Sequence, residues 1–151
     1  MTRHLSKIEW DDEMSVGIAE IDAGQKRFIS LINEFIRAIE ARMGLLEIGI
    51  RLQLVLEFAE HHFAEEEKLF RKWRYLHTTQ HENKNSELLQ AVHDIMEKAK
   101  TYSFDSEWRS AELAIKNLLV SHVQEEYMKY ADFLHKHHGV PKGNRKCNKA
   151  S

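Results

Sequence analysis

Residues 52–70 read LQLVLEFAEHHFAEEEKLF. Apolar side chains recur here at steps of three and four residues, the spacing that places them on one face of an α-helix. The pattern predicts a helix from about Leu45 to Trp73, ending in the basic run RKWR that is typical of a helix C-terminus. The polar run at residues 61–67 belongs either to a solvated face of this helix or to a face that holds something charged.

A first helix is predicted on the N-terminal side of this stretch, from about Ala23 to Met43. Its apolar positions recur at helical spacing at Phe28, Leu31, Ile32, Phe35 and Ile39. Asp22 is placed to cap its start, and Gly44 is placed to stop it.

Two more helices are predicted on the C-terminal side. Thr79 and Glu82 have the spacing of a capping box, which predicts a helix that starts there and runs to the loop TYSFDS. The fourth helix follows this loop and passes through Leu113, Ile115 and Leu119 to Phe133.

The chain has one proline and no strong strand pattern, so the sequence predicts an all-α, up-down-up-down four-helix bundle. The first 20 or so residues form an extended arm with Trp10, Val16 and Ile18. We expect one domain over residues 1–138, arm included, and a disordered tail over residues 139–151.

Composition excludes several classes of partner. The 22 basic and 24 acidic side chains nearly cancel, so charge does not point to nucleic acid or to an anionic membrane. The opening MTRHLSKIEW lacks the apolar run of a signal peptide, and no later stretch is apolar enough to span a bilayer. We therefore expect a soluble, cytoplasmic protein that binds neither nucleic acid nor membrane.

His62 and Glu66 stand out within the polar run because they are four residues apart on one helix face. They are in phase with Val55, Ala59 and Leu69, which places them at the apolar seam, whereas His61, Glu65 and Glu67 are expected to face water. A carboxylate buried without a partner costs several kcal/mol. An inward Glu66 therefore calls for a cation or for strong hydrogen bonds.

Two further histidines can join this pair. His81 lies near the start of the third helix, and His122 is in phase with Ile115 and Leu119 on the fourth. Three imidazoles and one carboxylate from three helices are a suitable ligand set for iron, zinc or manganese.

The same residues resemble the bacterial hemerythrins and hemerythrin-like proteins over nearly the whole chain, up to about residue 135. The motifs are WDDEMSVGIAEID at 10–22, FISLIN at 28–33, HFxxEE at 62–67 and HVQEEYMKYADFL at 122–134, which resembles the family's HIxxxDxxYxxFL. The resemblance implies a four-helix bundle whose core holds two non-haem irons, ligated by five histidines and bridged by one Glu and one Asp. It also implies reversible binding of O2.

Carried over position by position, the resemblance places only part of that site in this chain. Four family ligand positions are kept, namely His62, Glu66, His81 and His122. Three are changed and would line the site as altered ligand positions: Gln25 and Asn85 replace histidines, and Tyr127 replaces the bridging Asp. One anionic bridge is too few for two like charges a few ångströms apart. We therefore expect one iron ion, Fe2+ or Fe3+, or at most two, with another divalent metal as the alternative.

The role of the fourth helix at this site has alternatives. Tyr127 can bind ferric iron as a phenolate, or its ring can fill the space of the second metal. Glu126 lies four residues after His122, so these two can repeat the arrangement of His62 and Glu66.

The other changed positions also have structural alternatives. Gln25 lies three residues after Asp22, so it can form a capping box at the start of the first helix. Asn85 can hydrogen-bond to His81 or to Tyr127 without touching a metal.

The leading functional hypothesis is therefore a hemerythrin-like module that binds or senses iron and O2 or another small diatomic molecule. An iron-dependent enzyme that reduces peroxide or activates O2 is one alternative, because lost protein ligands open coordination positions. A metal-free scaffold that acts through protein interaction is the other.

Overall fold

The computed structural model describes residues 7–72, 74, 78–101 and 103–138. Its four long helices are α1 (Ala19–Glu40), α2 (Leu45–Lys72), α3 (Thr78–Ala99) and α4 (Asp105–His138), and a short 3-10 helix at Asp12–Met14 precedes them. The predicted tail at 139–151 lies outside the described residues, as do Trp73 and residues 75–77.

The helices pack in chain order, each against the next, and α1 also packs against α4, which closes the bundle. The all-α four-helix prediction is therefore confirmed. The core is built from the predicted apolar faces, with Phe28, Phe35, Val55, Val92 and Val123 fully buried. No helix in the described ranges carries an apolar stretch long enough to cross a membrane.

The start of α1 differs from the prediction. The helix begins at Ala19, and the backbone N–H of Asp22 already donates to the carbonyl of Ile18 within its first turn. Asp22 therefore does not cap α1. Its buried carboxylate instead accepts the hydroxyl of Ser15 at 2.5 Å and the backbone N–H of Val16 at 2.9 Å. Asp22 thus ties the arm to the first turn of α1.

A second pair of hydrogen bonds holds the arm further along α1. The side-chain amide of Asn33 accepts from the backbone N–H of Ile8 and donates to the Ile8 carbonyl, both at 2.8 Å. Ile8, Met14 and Val16 are buried, and the 3-10 helix packs against α4. The arm therefore packs against α1 and α4 as part of the bundle.

The sequence predicted that Gly44 ends α1, but the helix ends two residues earlier, at a turn centred on Arg42. The N–H of Met43 donates to the carbonyl of Ala38, and the N–H of Arg42 donates to that of Ile39. This is the Schellman arrangement, which needs a left-handed residue just past the helix. Arg42 takes that conformation, with φ of 53°, although glycine adopts it with less strain.

The N-terminal parts of α3 and α4 differ from the prediction in two further details. Glu82 forms an ion pair with Arg71 of α2, so it does not turn back to Thr79 as a capping box would require. On α4, Leu113 is 41% exposed, whereas the inward positions include Ala111, Glu112 and Ile115. The predicted phase of the early α4 face was therefore wrong at Leu113.

Candidate metal site

The polar residues predicted for the site meet inside one end of the bundle. They come from the first part of α1, the last part of α2, the first part of α3 and the last part of α4. All of the predicted positions are buried: Gln25, His62, Glu66, His81, Asn85, His122, Glu126 and Tyr127. The helical phase that placed His62, Glu66 and His122 inward is confirmed, and His61 and Glu65 are exposed as expected.

Glu66 lies at the centre of this group and has no exposed surface. Its Oε2 atom is 2.8 Å from Nε2 of His62, and its Oε1 atom is 3.3 Å from Nε2 of His81. Burial alone would raise the pKa of Glu66, but the two imidazoles outweigh burial and lower that pKa to about 2. The carboxylate is therefore ionised and joins a histidine of α2 to a histidine of α3.

His81 is held by several polar groups at once. The hydroxyl of Tyr130 is 2.6 Å from its Nδ1 atom, and Oε1 of Glu126 is 3.5 Å from the same nitrogen. Burial by itself lowers the pKa of His81, but together the carboxylates of Glu126 and Glu66 raise it above the ordinary value. The protein groups around His81 therefore stabilise its protonated form more than water does.

The second nitrogen of His81 faces competing partners. Nε2 lies 3.0 Å from the amide nitrogen of Asn85 and 3.3 Å from the carboxylate of Glu66. A ring nitrogen can accept from the amide or donate to the carboxylate, but it cannot do both. The hydrogen bonding on this side of the site is therefore incomplete.

His122 reaches the same interior from α4. Its ring lies 5.3 Å from that of Phe63, and its Nε2 atom is buried with no hydrogen-bond partner among the described residues. Burial lowers the pKa of His122 to about 4, against the opposing effect of Glu126 and Glu66. A neutral imidazole with an unused nitrogen is the form in which histidine binds a metal.

Gln25 and Asn85 both form hydrogen bonds inside this polar interior. The side-chain amide of Gln25 donates to Oε2 of Glu66 at 3.3 Å. The capping-box alternative for Gln25 is wrong, because α1 begins before Asp22 and the Gln25 side chain turns into the core. Asn85 donates to Glu67 at 3.1 Å and contacts His81, as its hydrogen-bonding alternative predicted.

Tyr127 is completely buried in the same interior. Its hydroxyl lies 3.5 Å from Nε2 of His62, and its ring centroid is 5.8 Å from that of Tyr130. Burial, together with the nearby charge of Glu66, raises the pKa of Tyr127 well above its ordinary value. Among protein groups alone, the side chain is therefore a neutral phenol that fills space beside His62.

Sequence reasoning underestimated three residues near the site. Glu126 had been weighed only as an alternative, yet it is buried beside His81 and accepts from Lys129 at 3.2 Å. Tyr130 was not predicted, although its three-residue step from Tyr127 put it on the same helix face. Glu67 was expected to face water but is half-buried, because it accepts from Asn85.

Packing fixes the orientation of the His62 ring. The ring stacks on Phe58 at a centroid distance of 5.3 Å and an interplanar angle of 20°, and it also contacts Phe28. A Cβ atom added at Gly24 would come within 3.0 Å of Cε1 and Nδ1 of the imidazole. The absence of a side chain at Gly24 therefore lets α1 approach His62 closely.

The donors of this interior suit a metal ion in chemical type, with one ionised carboxylate at the centre and imidazoles around it. Four buried atoms of this interior lack a hydrogen-bond partner in the described part of the chain: Gln25 Oε1, Glu66 Oε1, Asn85 Oδ1 and His122 Nε2. Buried polar atoms are normally satisfied, so these four mark where a further positive group would be stabilised. Within the described residues, no three His, Cys, Asp or Glu side chains already stand in a metal-binding arrangement.

Comparison with known proteins identifies the family. Two proteins named hemerythrin-like protein, from Naegleria gruberi and Naegleria fowleri, are each 30% identical to this chain over 129 residues. Those residues cover 85% of this chain and 95% of each relative. The chain belongs to the hemerythrin-like family. No protein-family model matches it.

In this hemerythrin-like chain, the seven residues that the resemblance assigns to ligand positions are all buried: His62, Glu66, His81, His122, Gln25, Asn85 and Tyr127. The roles of these residues toward a metal remain predictions, as does a bacterial origin of the sequence.

Proposed function

We propose that this hemerythrin-like protein binds one non-haem metal ion through His62, Glu66, His81 and His122, and that the metal is iron. The observation that supports this most strongly is that His62 and His81 meet the two oxygens of Glu66 in a fully buried setting. His122 brings a neutral imidazole with an unused nitrogen to the same interior. Bound iron would supply a redox-active centre for O2 or another small diatomic molecule.

The surrounding residues orient these ligands. The Gln25 amide steadies Glu66, Tyr130 holds His81, and the Phe58 ring holds the plane of His62. Such outer contacts fix ligand orientation and typically change metal affinity about 10- to 100-fold when removed. Glu126 is the candidate for a second carboxylate at the site, four residues from His122.

The altered positions favour one ion over two. Gln25 and Asn85 bring neutral amides where the family has imidazoles, and the ring of Tyr127 occupies space where the family has a carboxylate. Two adjacent cations need anionic bridges to offset their repulsion. Glu66 is the one retained bridge, so we propose a single-metal module for binding or sensing in the cytoplasm.

A metal-free interaction module is the second candidate. It is favoured by the way the altered residues bond to the retained ones, Gln25 to Glu66 and Asn85 to His81. In that case the polar interior is a hydrogen-bonded core. The function would then lie on the outer surface of the bundle.

Metal analysis of the full chain, produced without a histidine tag and with added iron, separates the two candidates. The single-metal proposal predicts about one equivalent of metal per chain, because the four ligands together form one site. Less than about one-tenth of an equivalent of any metal would favour the metal-free module. O2-dependent absorption bands of a two-iron centre would contradict both.

A further inference from the structure

The outer face of α2 carries a row of large apolar side chains, called here the α2 stripe: Leu46, Ile50 and Leu54. They follow one another at steps of four residues, and they are 80%, 49% and 46% exposed. The buried face of the same helix, with Leu52 and Val55, lies on the opposite side. A contiguous apolar patch on the surface, unlike a single exposed residue, indicates a contact with another molecule.

Exposed apolar side chains are concentrated in this part of the chain. Further along α2 the outer face is polar, with Glu57, His61 and Lys68. The change from apolar to polar on one face indicates a contact that is limited to the first part of α2. Among the described residues, seven large apolar side chains are exposed, and five of them lie within residues 43–54: Met43, Leu45, Leu46, Ile50 and Leu54.

The shape of this surface suits a second helix. Side chains four residues apart form a ridge on an α-helix, and two such ridges pack together at a crossing angle of about −50°. Gly49 lies in the row beside the α2 stripe, and a Cβ atom added there would meet nothing within 4 Å. The stripe is therefore a ridge with an open groove at its side, and two identical surfaces of this kind can interlock.

The charges around the stripe favour a second copy of the chain in antiparallel orientation. Arg42 lies in the turn before α2, and Glu57 lies about 10 Å beyond Ile50 along the helix. Both are exposed and neither forms an ion pair within the described residues, whereas Arg51 is paired with Glu47. An antiparallel pair centred on Ile50 brings Glu57 of each copy to the level of Arg42 of the other. A parallel pair brings like charges together, which is unfavourable.

We propose that the α2 stripe binds the α2 stripe of a second copy of this chain, as an antiparallel pair centred on Ile50. Three side chains and the groove beside them bury less than the roughly 1,200–2,000 Å² of a standard stable interface. The pair is therefore a weak, reversible dimer with a dissociation constant on the order of 10–100 µM. Leu54 precedes His62 by about 12 Å along α2, so this inference does not depend on either proposed function of the polar interior.

The experiment is sedimentation equilibrium of the full chain from about 1 µM to about 1 mM, a range that brackets the expected dissociation constant. A reducing agent is present, because the single cysteine, Cys147, can otherwise crosslink two copies. We expect the mean mass to rise from 17.8 kDa toward twice that value.

Two matched variants test the apolar contact. Ile50→Glu places two carboxylates against each other at the centre of the pair, so it should raise the dissociation constant at least about 100-fold. Leu113→Glu makes the same kind of change at an apolar position of α4 that is 41% exposed, and it should leave the mass curve unchanged. Both positions are exposed, so we expect both variants to fold.

Charge reversal tests the orientation. Arg42→Glu and Glu57→Arg each bring like charges together at both ends of the pair, so each should weaken the dimer about tenfold. The double variant restores opposite charges and should dimerise within about twofold of the unchanged chain.

Three results would each overturn the proposal. The first is a mass of the unchanged chain that stays at 17.8 kDa throughout the concentration range, which would leave the α2 stripe to a different protein. The second is an Ile50→Glu variant that dimerises as the unchanged chain does. The third is a double charge-reversal variant that dimerises no better than the two single ones.

Discussion

Two adjacent glutamates on α2 provide a matched test of the polar interior. Glu66 is fully buried between two imidazoles, whereas the side chain of Glu65 is 49% exposed. Glutamine resembles a protonated carboxyl group in size and in lack of charge. Glu66→Gln therefore removes the stabilisation that the native fold gives to the ionised form.

The size of this loss follows from the pKa of Glu66. At about 1.4 kcal/mol per pKa unit, the fall from 4.5 to about 2 corresponds to about 3 kcal/mol. For a chain of this length, about 3 kcal/mol lowers Tm by roughly 6–12 °C. Because the folded pKa is depressed, the contribution is complete above pH 4.5 and is lost as the pH falls toward 2.

The assay is urea unfolding of the metal-free protein at pH 7, with chelator present. We expect Glu66→Gln to lower the free energy of unfolding by about 3 kcal/mol and Glu65→Gln to change it by less than about 0.5 kcal/mol. With iron present, Glu66→Gln should also lower metal content by at least about tenfold. Equal stabilities of the two variants would refute the central position of Glu66.

The remaining predictions concern the other ligands and the backbone. His122→Ala should lower metal content several-fold in elemental analysis, whereas His61→Ala on the exposed face should not, and the reverse order would contradict the site. The triple variant Gln25→His, Asn85→His and Tyr127→Asp should take up a second iron, and persistence of a single ion would mean that the backbone no longer accommodates a pair. Gly49→Ala should raise the free energy of unfolding by about 1 kcal/mol. Gly24→Ala should raise the free energy of unfolding by less, because a Cβ atom there would lie 3.0 Å from the His62 ring. Equal increases for the two variants would count against that contact. Arg42→Gly should add about 0.5–1 kcal/mol by relieving the positive φ at the end of α1, and a loss of stability in the same denaturation assay would exclude strain there.

The helices and their inward faces were predictable because apolar periodicity over 20 or more residues leaves few alternatives. Their ends were less so, since they depend on contacts that are distant in sequence or atypical in residue type. Asp22 looked like a helix cap, yet its carboxylate serves the arm. Arg42 ends α1 in a conformation that sequence rules assign to glycine.

The inward positions of His62 and Glu66 were predictable for the same reason as the helices, since the two residues are one turn apart on the buried face of α2. The hydrogen-bond partners were harder to predict because they depend on how side chains from different helices meet. Tyr130 beside His81 and Asn85 beside Glu67 are both pairs of this kind. Glu112 was missed because the apolar Leu113 next to it appeared to define the inward face of α4.

The most direct test of the single-metal proposal is an anomalous difference map at the iron edge, from a crystal of the full chain grown with iron. The proposal predicts one peak, in contact with Glu66 and with imidazole nitrogens from His62, His81 and His122. Two full peaks in the same interior, or imidazoles that still bond only to protein groups with no peak between them, would contradict it.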